Sequence, residues 1–211
     1  FVFLDDVQFN SRSWQQRNRI VNNGKINYLT IPIKKKGLRH QLINECKIDD
    51  IKIFEEHLKK IRHAYSKTKY FKEYYNKIEK IIIDSSNMNI LSDINIYIIK
   101  EISKIIGLNC NFSKSSELKC SGKKSIKLIN ICNKLNCKDY LFNPGALDYI
   151  KEDLKEFKKN SINLYIISYN QKTYSQKNFN FVADLSILDL LFNLGIKTKD
   201  YIKKNYSIKK F

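Results

Sequence analysis

Apolar residues recur at two spacings along this chain of 211 residues, and the spacing changes with position. The first third reads as strands. Phe1 to Leu4 is one candidate, and Arg19 to Val21 and Ile26 to Ile33 flank Asn22-Asn23-Gly24-Lys25. Asn-Gly predicts a hairpin turn, because both residues tolerate positive φ. Pro32 lacks the N–H a ladder needs, so it marks an edge or the end of pairing. The middle is helical. Phe54, His57, Leu58, Ile61 and Tyr65 form one apolar stripe. A second helix is predicted from Phe71 to Ile83. A third runs from about Asp93 to Ile106, with Ile94, Ile98, Ile102 and Ile105 on one face and Gly107 as its stop. The last half alternates. Strands are predicted at Leu108 to Phe112, Asp139 to Phe142 and Ile162 to Tyr169. Helices are predicted at Lys124 to Leu135, Ala146 to Phe157 and Ser186 to Leu194, the last stopped by Gly195.

Strand–helix–strand alternation at these lengths implies parallel pairing through right-handed crossovers. The expectation is an α/β fold: a Rossmann-like, mostly parallel sheet flanked by helices, with a small β-hairpin (about 19–33) and a helical insertion (about 51–106). No linker, repeat or low-complexity tract interrupts the chain. A single domain is therefore expected over residues 1–197, followed by a Lys-rich C-terminal tail over 198–211.

Composition adds a charge of +18, with 43% apolar and 28% charged residues. That is a globular balance, and a chain of this size buries roughly 70% of its unfolded surface on folding. Lys, Ile and Asn share AT-rich codons and together dominate the sequence, while Arg is scarce. The excess Lys thus reads first as a solvated basic surface. Scarce Arg and the lack of a recognised motif argue against nucleic acid as the partner. A basic cleft for a phosphorylated or anionic substrate remains open. No run approaches the ~18 uninterrupted apolar residues of a membrane span. The chain opens inside the strand-like run Phe1-Val2-Phe3-Leu4, so its true N-terminus is expected upstream. The five cysteines, Cys46, Cys110, Cys120, Cys132 and Cys137, include no C-x-x-C pair. Reduced thiols in a cytoplasm fit that pattern better than a disulfide framework or a zinc site. No H-x-x-x-H or H-x-H spacing supports a metal, and no residue pattern identifies a cofactor.

In open α/β sheets, ligands bind beyond the carboxyl ends of the strands. Three predicted loops leave strands at that edge. The first begins Asp5-Asp6, a pair able to orient a hydroxyl or amine or to act as a base. It runs into Gln8 to Arg19, which holds Arg12, Arg17 and Arg19 beside the only tryptophan, Trp14. Clustered Arg in a Lys-rich protein points to planar, bidentate anion binding. Trp14 can stack on a sugar or base. The same arginines could instead pair with Asp5 and Asp6 to hold a loop. The second loop, Ser113 to Ser125, offers Ser121 as a helix cap and Lys123 and Lys124 for an anion, although Glu117 and Lys124 break a P-loop pattern. The third, Asn143-Pro144-Gly145, can bring backbone close to a substrate or be a plain βα turn. His57, on the apolar stripe, is either a half-buried core histidine or a catalytic candidate.

These residues together resemble the WbqC-like family. The match is carried by Phe-Leu-Asp5-Asp6-Val-Gln8-Phe, Arg12-x-Trp14-x-x-Arg17-Asn18-Arg19-Ile20, Leu29 to Lys34, and His57-Leu58-Lys59-x-Ile61. It continues through Tyr65-x-Lys67, Tyr70-Phe71, Ser115-Ser116-Glu117-Leu118, Lys124, Leu128-x-x-Ile131-Cys132-x-x-Leu135 and Tyr140-Leu141. Pro144-x-x-x-Asp148-Tyr149 and Leu185-Ser186-Ile187-x-Asp189-Leu190-Leu191-Phe192-Asn193-x-Gly195 complete it. The resemblance covers nearly the whole chain in order. Members open with a Gln-Pro-rich segment that this sequence does not contain. Asn143 stands where related sequences often have Ser or Gly. The family is associated with surface-polysaccharide clusters, including O-antigen and other lipopolysaccharide loci. The resemblance implies a cytoplasmic transferase that moves an amino acid such as glycine, or another acyl group, onto a sugar. It implies a small activated sugar or acyl donor as partner. Asp5, Asp6 and His57 would be catalytic candidates. Gln8, Arg12, Trp14, Arg17, Asn18, Arg19, Ser115, Ser116, Lys124 and Asp148 match the family's polar positions and would be substrate-binding candidates, joined by Asn143 and Gly145 from the loop after the predicted strand. A non-catalytic nucleotide-sugar binding module and a basic nucleic-acid binder are the alternatives.

Overall fold

The computed structural model describes residues 1–34, 40–177 and 180–211. Its strands are β1 (Val2–Phe3), β2 (Arg17–Asn22), β3 (Lys25–Thr30), β4 (Ser113–Lys114), β5 (Asp139–Phe142), β6 (Asn163–Tyr169) and β7 (Tyr206–Lys210). Its helices are α1 (Ile53–Tyr65), α2 (Phe71–Ser86), α3 (Leu91–Ile105), α4 (Ser115–Leu118), α5 (Lys124–Lys134), α6 (Leu147–Glu152), α7 (Leu154–Lys159), α8 (Ile187–Leu194) and α9 (Thr198–Asn205). The chain separates into two compact units. Unit 1 comprises Phe1–Leu4, Asn111–Lys172 and Ile202–Phe211; unit 2 comprises Asp5–Cys110 and Thr173–Tyr201.

Unit 2 is built on the hairpin. Asn23 and Gly24 adopt φ of 48° and 72°, the double positive φ that a tight two-residue turn demands. The turn sets the register Asn22↔Lys25, Ile20↔Asn27, Arg19↔Tyr28 and Arg17↔Thr30. Opposite residues share a face. Arg17, Arg19, Tyr28 and Thr30 therefore lie on one side of the ribbon, and Ile20 and Leu29 on the other. Ile20 enters a core with Phe54, Ile61 and Tyr65 of α1, Tyr74, Ile78 and Ile82 of α2, Leu91 and Ile94 of α3, and Leu191 and Phe192 of α8. The helices supply the apolar surface that an isolated hairpin lacks. Gly195 ends α8 at φ 56° and ψ −129°. A Cβ there would fall 2.6 Å from the Tyr70 ring, so only glycine fits.

In unit 1, β1 pairs in parallel with β4. β5 pairs in parallel with β6, and β7 adds antiparallel to β6. Leu128, Ile129 and Cys132 of α5, Ile150 of α6 and Phe157 of α7 pack with Phe142 and Leu164 in a second core.

The fold is mixed α/β, as expected, but its paired strands form three small sheets among the described residues rather than one mostly parallel sheet. The predicted helices at 54–65, 71–83 and 93–106 appear as α1, α2 and α3. The strand expected at Leu108 to Phe112 does not form there; pairing begins only at Ser113–Lys114, because Asn109-Cys110-Asn111 contributes little strand propensity. The helix expected from Ala146 to Phe157 begins as a short 3₁₀ turn at Pro144–Ala146 and breaks at Asp153 into α6 and α7. Ser121 does not cap α5. Lys123 holds the cap position, and the Ser121 carbonyl accepts from Asn130 Nδ2 at 3.0 Å. Residues 198–211, expected as a tail, are α9 and β7. The latter is held by a five-residue register against β6.

Candidate functional site

The residues before β2 form a tight, self-bonded turn. Phe9 N–H donates to the Gln41 carbonyl at 2.8 Å, and Ile43 N–H to the Val7 carbonyl at 3.0 Å. Gln15 Oε1 accepts from Asn10 N–H at 2.8 Å, and Gln16 Oε1 from Arg12 N–H at 3.0 Å. Gln16 is buried, and its Nε2 donates to the Ile31 carbonyl at 3.2 Å. Asn95 of α3 ties down the Gln15 carbonyl at 2.7 Å. Arg12 sits at φ 59°. Two buried or half-buried glutamines thus satisfy the backbone of a short turn, and the turn carries Trp14 at its tip, 64% exposed.

Beside that turn lies the arginine face of the hairpin. The Arg17 guanidinium stacks 4.6 Å from the Tyr28 ring centroid, and that of Arg19 lies 5.2 Å from the Trp14 centroid. Each such contact is worth about 0.5–1 kcal/mol near solvent. Its larger effect is to hold a planar cation flat. Arg19 is also anchored from behind. Its Nε and Nη2 donate to the Asp184 carbonyl at 3.1 and 2.7 Å, and Ser186 N–H donates to the Arg19 carbonyl at 2.8 Å. The Asp184 carboxylate stands 3.7 Å away and is largely exposed, so its charge adds little. Two arginines and two aromatic rings therefore alternate over one surface of unit 2. That pattern can receive a planar ring by stacking and an anionic group by forked hydrogen bonds.

Of the other predicted residues of unit 2, Asn18 belongs to the hairpin and His57 bonds to its end. Asp5 is buried, and its carbonyl accepts from Asn44 N–H at 2.9 Å. Asp6 is half-buried. Gln8 is exposed and meets His40 Nδ1 at 3.3 Å. Asn18 is exposed, and its Oδ1 accepts from Arg19 N–H at 2.8 Å. His57 is buried, with Nε2 3.2 Å from the Thr30 carbonyl. A carbonyl only accepts, so Nε2 carries the proton. Burial, helped by nearby Lys60 and opposed by the Thr30 bond, lowers the His57 pKa to about 4. His57 is neutral at physiological pH and links α1 to the end of β3.

Six predicted residues belong to unit 1. Ser115 is buried and Ser116 half-buried at the start of α4, immediately after β4. Lys124 is exposed at φ 49°. Asn143 and Gly145 are exposed in the turn after β5, and Asp148 is exposed on α6. Ser115 and Asn143 each follow a parallel strand at its carboxyl end. Among the described residues no group of three His, Cys, Asp or Glu side chains gathers as metal ligands. No helix among them is long and apolar enough to cross a membrane.

One polar cluster lies outside the candidates read from the sequence. Asp189 of α8 is fully buried. Its Oδ2 accepts from the Tyr174 hydroxyl at 2.5 Å and from Gln176 Nε2 at 3.0 Å. The Tyr65 hydroxyl, also buried, feels the Asp189 charge without a well-formed hydrogen bond. Burial raises the Asp189 pKa, and the Tyr174 and Gln176 donors oppose it. The available signal is a lone acid inside the apolar run Leu188-Asp189-Leu190-Leu191-Phe192, since a carboxylate on a buried helix stripe needs dedicated partners.

Comparison with known proteins gives the chain a family. A model described as the WbqC-like protein family matches residues 1–201. The uncharacterized protein Rv1507c of Mycobacterium tuberculosis (strain ATCC 25618 / H37Rv) is 29% identical over 204 residues, covering 96% of this chain and 87% of that protein. No solved structure matches.

Proposed function

Because the chain belongs to the WbqC-like protein family, we propose that it is a transferase of bacterial surface-polysaccharide assembly of the O-antigen type. The reaction moves an amino acid such as glycine, or another acyl group, from an activated donor onto a sugar. The observation that carries this reading is the alternation of Trp14, Arg19, Tyr28 and Arg17 on one face of the hairpin. Trp14 stacks on the ring of the donor. The Arg17 fork binds its phosphate or carboxylate by charge-assisted hydrogen bonds. Arg19, committed on two donors to Asp184, supplies charge and a fixed edge. Asp5 or Asp6 accepts the proton of the attacking sugar hydroxyl or amine. The new bond forms at the acyl carbon, and the donor's leaving group departs with the electron pair.

In unit 1, Ser116 and Lys124 offer further polar groups to an anionic group, with Ser115 buried behind Ser116. The Rossmann-like reading is supported by two parallel pairs, β1–β4 and β5–β6, the second joined by the helical crossover of α6 and α7. Five cysteines outside any disulfide suit a reducing cytoplasm. The competing reading is a non-catalytic nucleotide-sugar binding module. The one observation in its favour is that His57 is committed to the Thr30 carbonyl.

Titration calorimetry with nucleotide-sugars, acyl-CoA and amino acids tests the assignment. R17A and R19A are each expected to weaken donor binding roughly tenfold to a hundredfold while the fold persists. Unchanged affinity in both variants overturns it. Binding without any turnover of donor and sugar acceptor selects the module.

A further inference from the structure

Unit 2 contains a polar relay that leads from a buried carboxyl to the exposed arginine face. Gln176 donates from Nε2 to Asp189 Oδ2 at 3.0 Å. The same side chain grips Val182 twice. Nε2 donates to its carbonyl at 2.9 Å, and Oε1 accepts from its N–H at 2.7 Å. Tyr174, also bonded to Asp189, packs edge-on against Phe181 and Tyr201 at 5.2 Å each. Two residues beyond Val182, the Asp184 carbonyl receives both N–H groups from Arg19. Asp184 holds φ 54°, an αL conformation that a non-glycine residue keeps only under constraint from its surroundings. Two residues further, Ser186 N–H closes back on the Arg19 carbonyl and its hydroxyl caps α8, the helix that carries Asp189. Both ends of the 182–186 chain are therefore fixed by α8, and its middle fixes Arg19.

We propose that Asp189 is a positioning residue for the Arg19–Trp14 ligand face, acting through Gln176 and the main chain of Val182 to Asp184. The proposal rests on the reading of that face as the donor site. A guanidinium aimed by a single carbonyl is only as well placed as that carbonyl. A displacement of about 1 Å in such a group costs up to a hundredfold in the process it serves. A Leu in place of Asp189 would extend the apolar stripe of α8 and bury more surface. The acid instead gives Tyr174 and Gln176 a shared acceptor in Oδ2.

Trp14 is the only tryptophan, so its fluorescence reports on this face directly. The experiment compares the wild-type chain with D189A, D189N and Q176A. It reads the Trp14 emission maximum, acrylamide quenching and UDP affinity, with near-UV circular dichroism to confirm folding. D189N keeps an acceptor oxygen in place and is expected to match wild type at Trp14. D189A and Q176A are expected to alter Trp14 emission and quenching and to weaken UDP binding about tenfold. Folded D189A and Q176A chains with wild-type Trp14 signals overturn the proposal, since a merely structural Asp189 lowers stability without moving Trp14. If D189A does not fold, Q176A decides the question through the same three readouts. A wild-type chain that ignores UDP and every nucleotide-sugar defeats the donor reading alone. The acrylamide comparison between variants still decides whether Asp189 positions the face.

Discussion

Gln176 and Val182 form a reciprocal pair of hydrogen bonds, with the amide donating to the Val182 carbonyl and accepting from its N–H. The side chain imitates a β-ladder partner for that one residue. Removing it leaves a half-buried donor and acceptor unpaired and strips one ligand from Asp189. Gln176→Ala is expected to cost about 3 kcal/mol, from two to three lost bonds at roughly 1 kcal/mol each. Urea denaturation checks this. A loss within about 0.5 kcal/mol, the range of a bland surface change, would mean that Gln176 holds nothing.

The burial of His57 predicts a pH dependence. The imidazole pKa falls from 6.5 unfolded to about 4 folded. Between those values the unfolded chain binds the extra proton, so stability rises with pH. The contribution is fully present above about pH 6.5 and is lost progressively as pH falls toward 4. It amounts to on the order of 3 kcal/mol at full depression. His57→Gln should flatten that window in melting temperatures measured from about pH 4 to 7. An unchanged slope would show that His57 titrates normally.

Gly195 predicts the sharpest steric response. Alanine there must hold φ 56° with its Cβ 2.6 Å from the Tyr70 ring. Backbone strain and overpacking add, each about 1–3 kcal/mol. Gly195→Ala should therefore destabilise by about 3 kcal/mol or more. Tyr70→Ala in the same chain should recover the steric part but not the backbone part, which a double-mutant cycle separates.

Local chemistry made parts of this molecule legible in advance. Asn23-Gly24 can do little in an apolar context except turn a hairpin. Phe54, Ile61 and Tyr65 repeat at a helical spacing that buries one face. The exposed Trp14 among clustered arginines is visible because neither residue type is common here. What stayed hidden depends on distant partners. The two short parallel pairs look like strands of one continuous sheet, because β1 finds its partner more than a hundred residues away. The Asp153 break has no proline or glycine to announce it. Asp189 stands in plain view in the sequence, but its function as a ligand for Tyr174 and Gln176 follows only when α8 is placed beside them. The Arg19–Asp184 bond joins residues 165 apart.

Arg17 carries the simplest prediction about the ligand face. Its stacking on Tyr28 is a contact near solvent, so Arg17→Ala should cost no more than about 1 kcal/mol of stability. A charge-assisted bond to a donor phosphate is worth about 1.5–3 kcal/mol, so affinity should fall roughly tenfold to a hundredfold. Stability and binding are thus expected to separate at this residue, which paired urea and calorimetric titrations would display.

The most direct test of the account is a titration of Trp14 fluorescence with nucleotides, nucleotide-sugars, acyl-CoA and short DNA, each at low and high salt. The arginine–aromatic face predicts saturable quenching by one small-molecule class, retained in high salt and lost in Arg17→Ala. Quenching by DNA alone, vanishing in salt, would leave only the chain's positive charge as its cause and would contradict the face as a donor site.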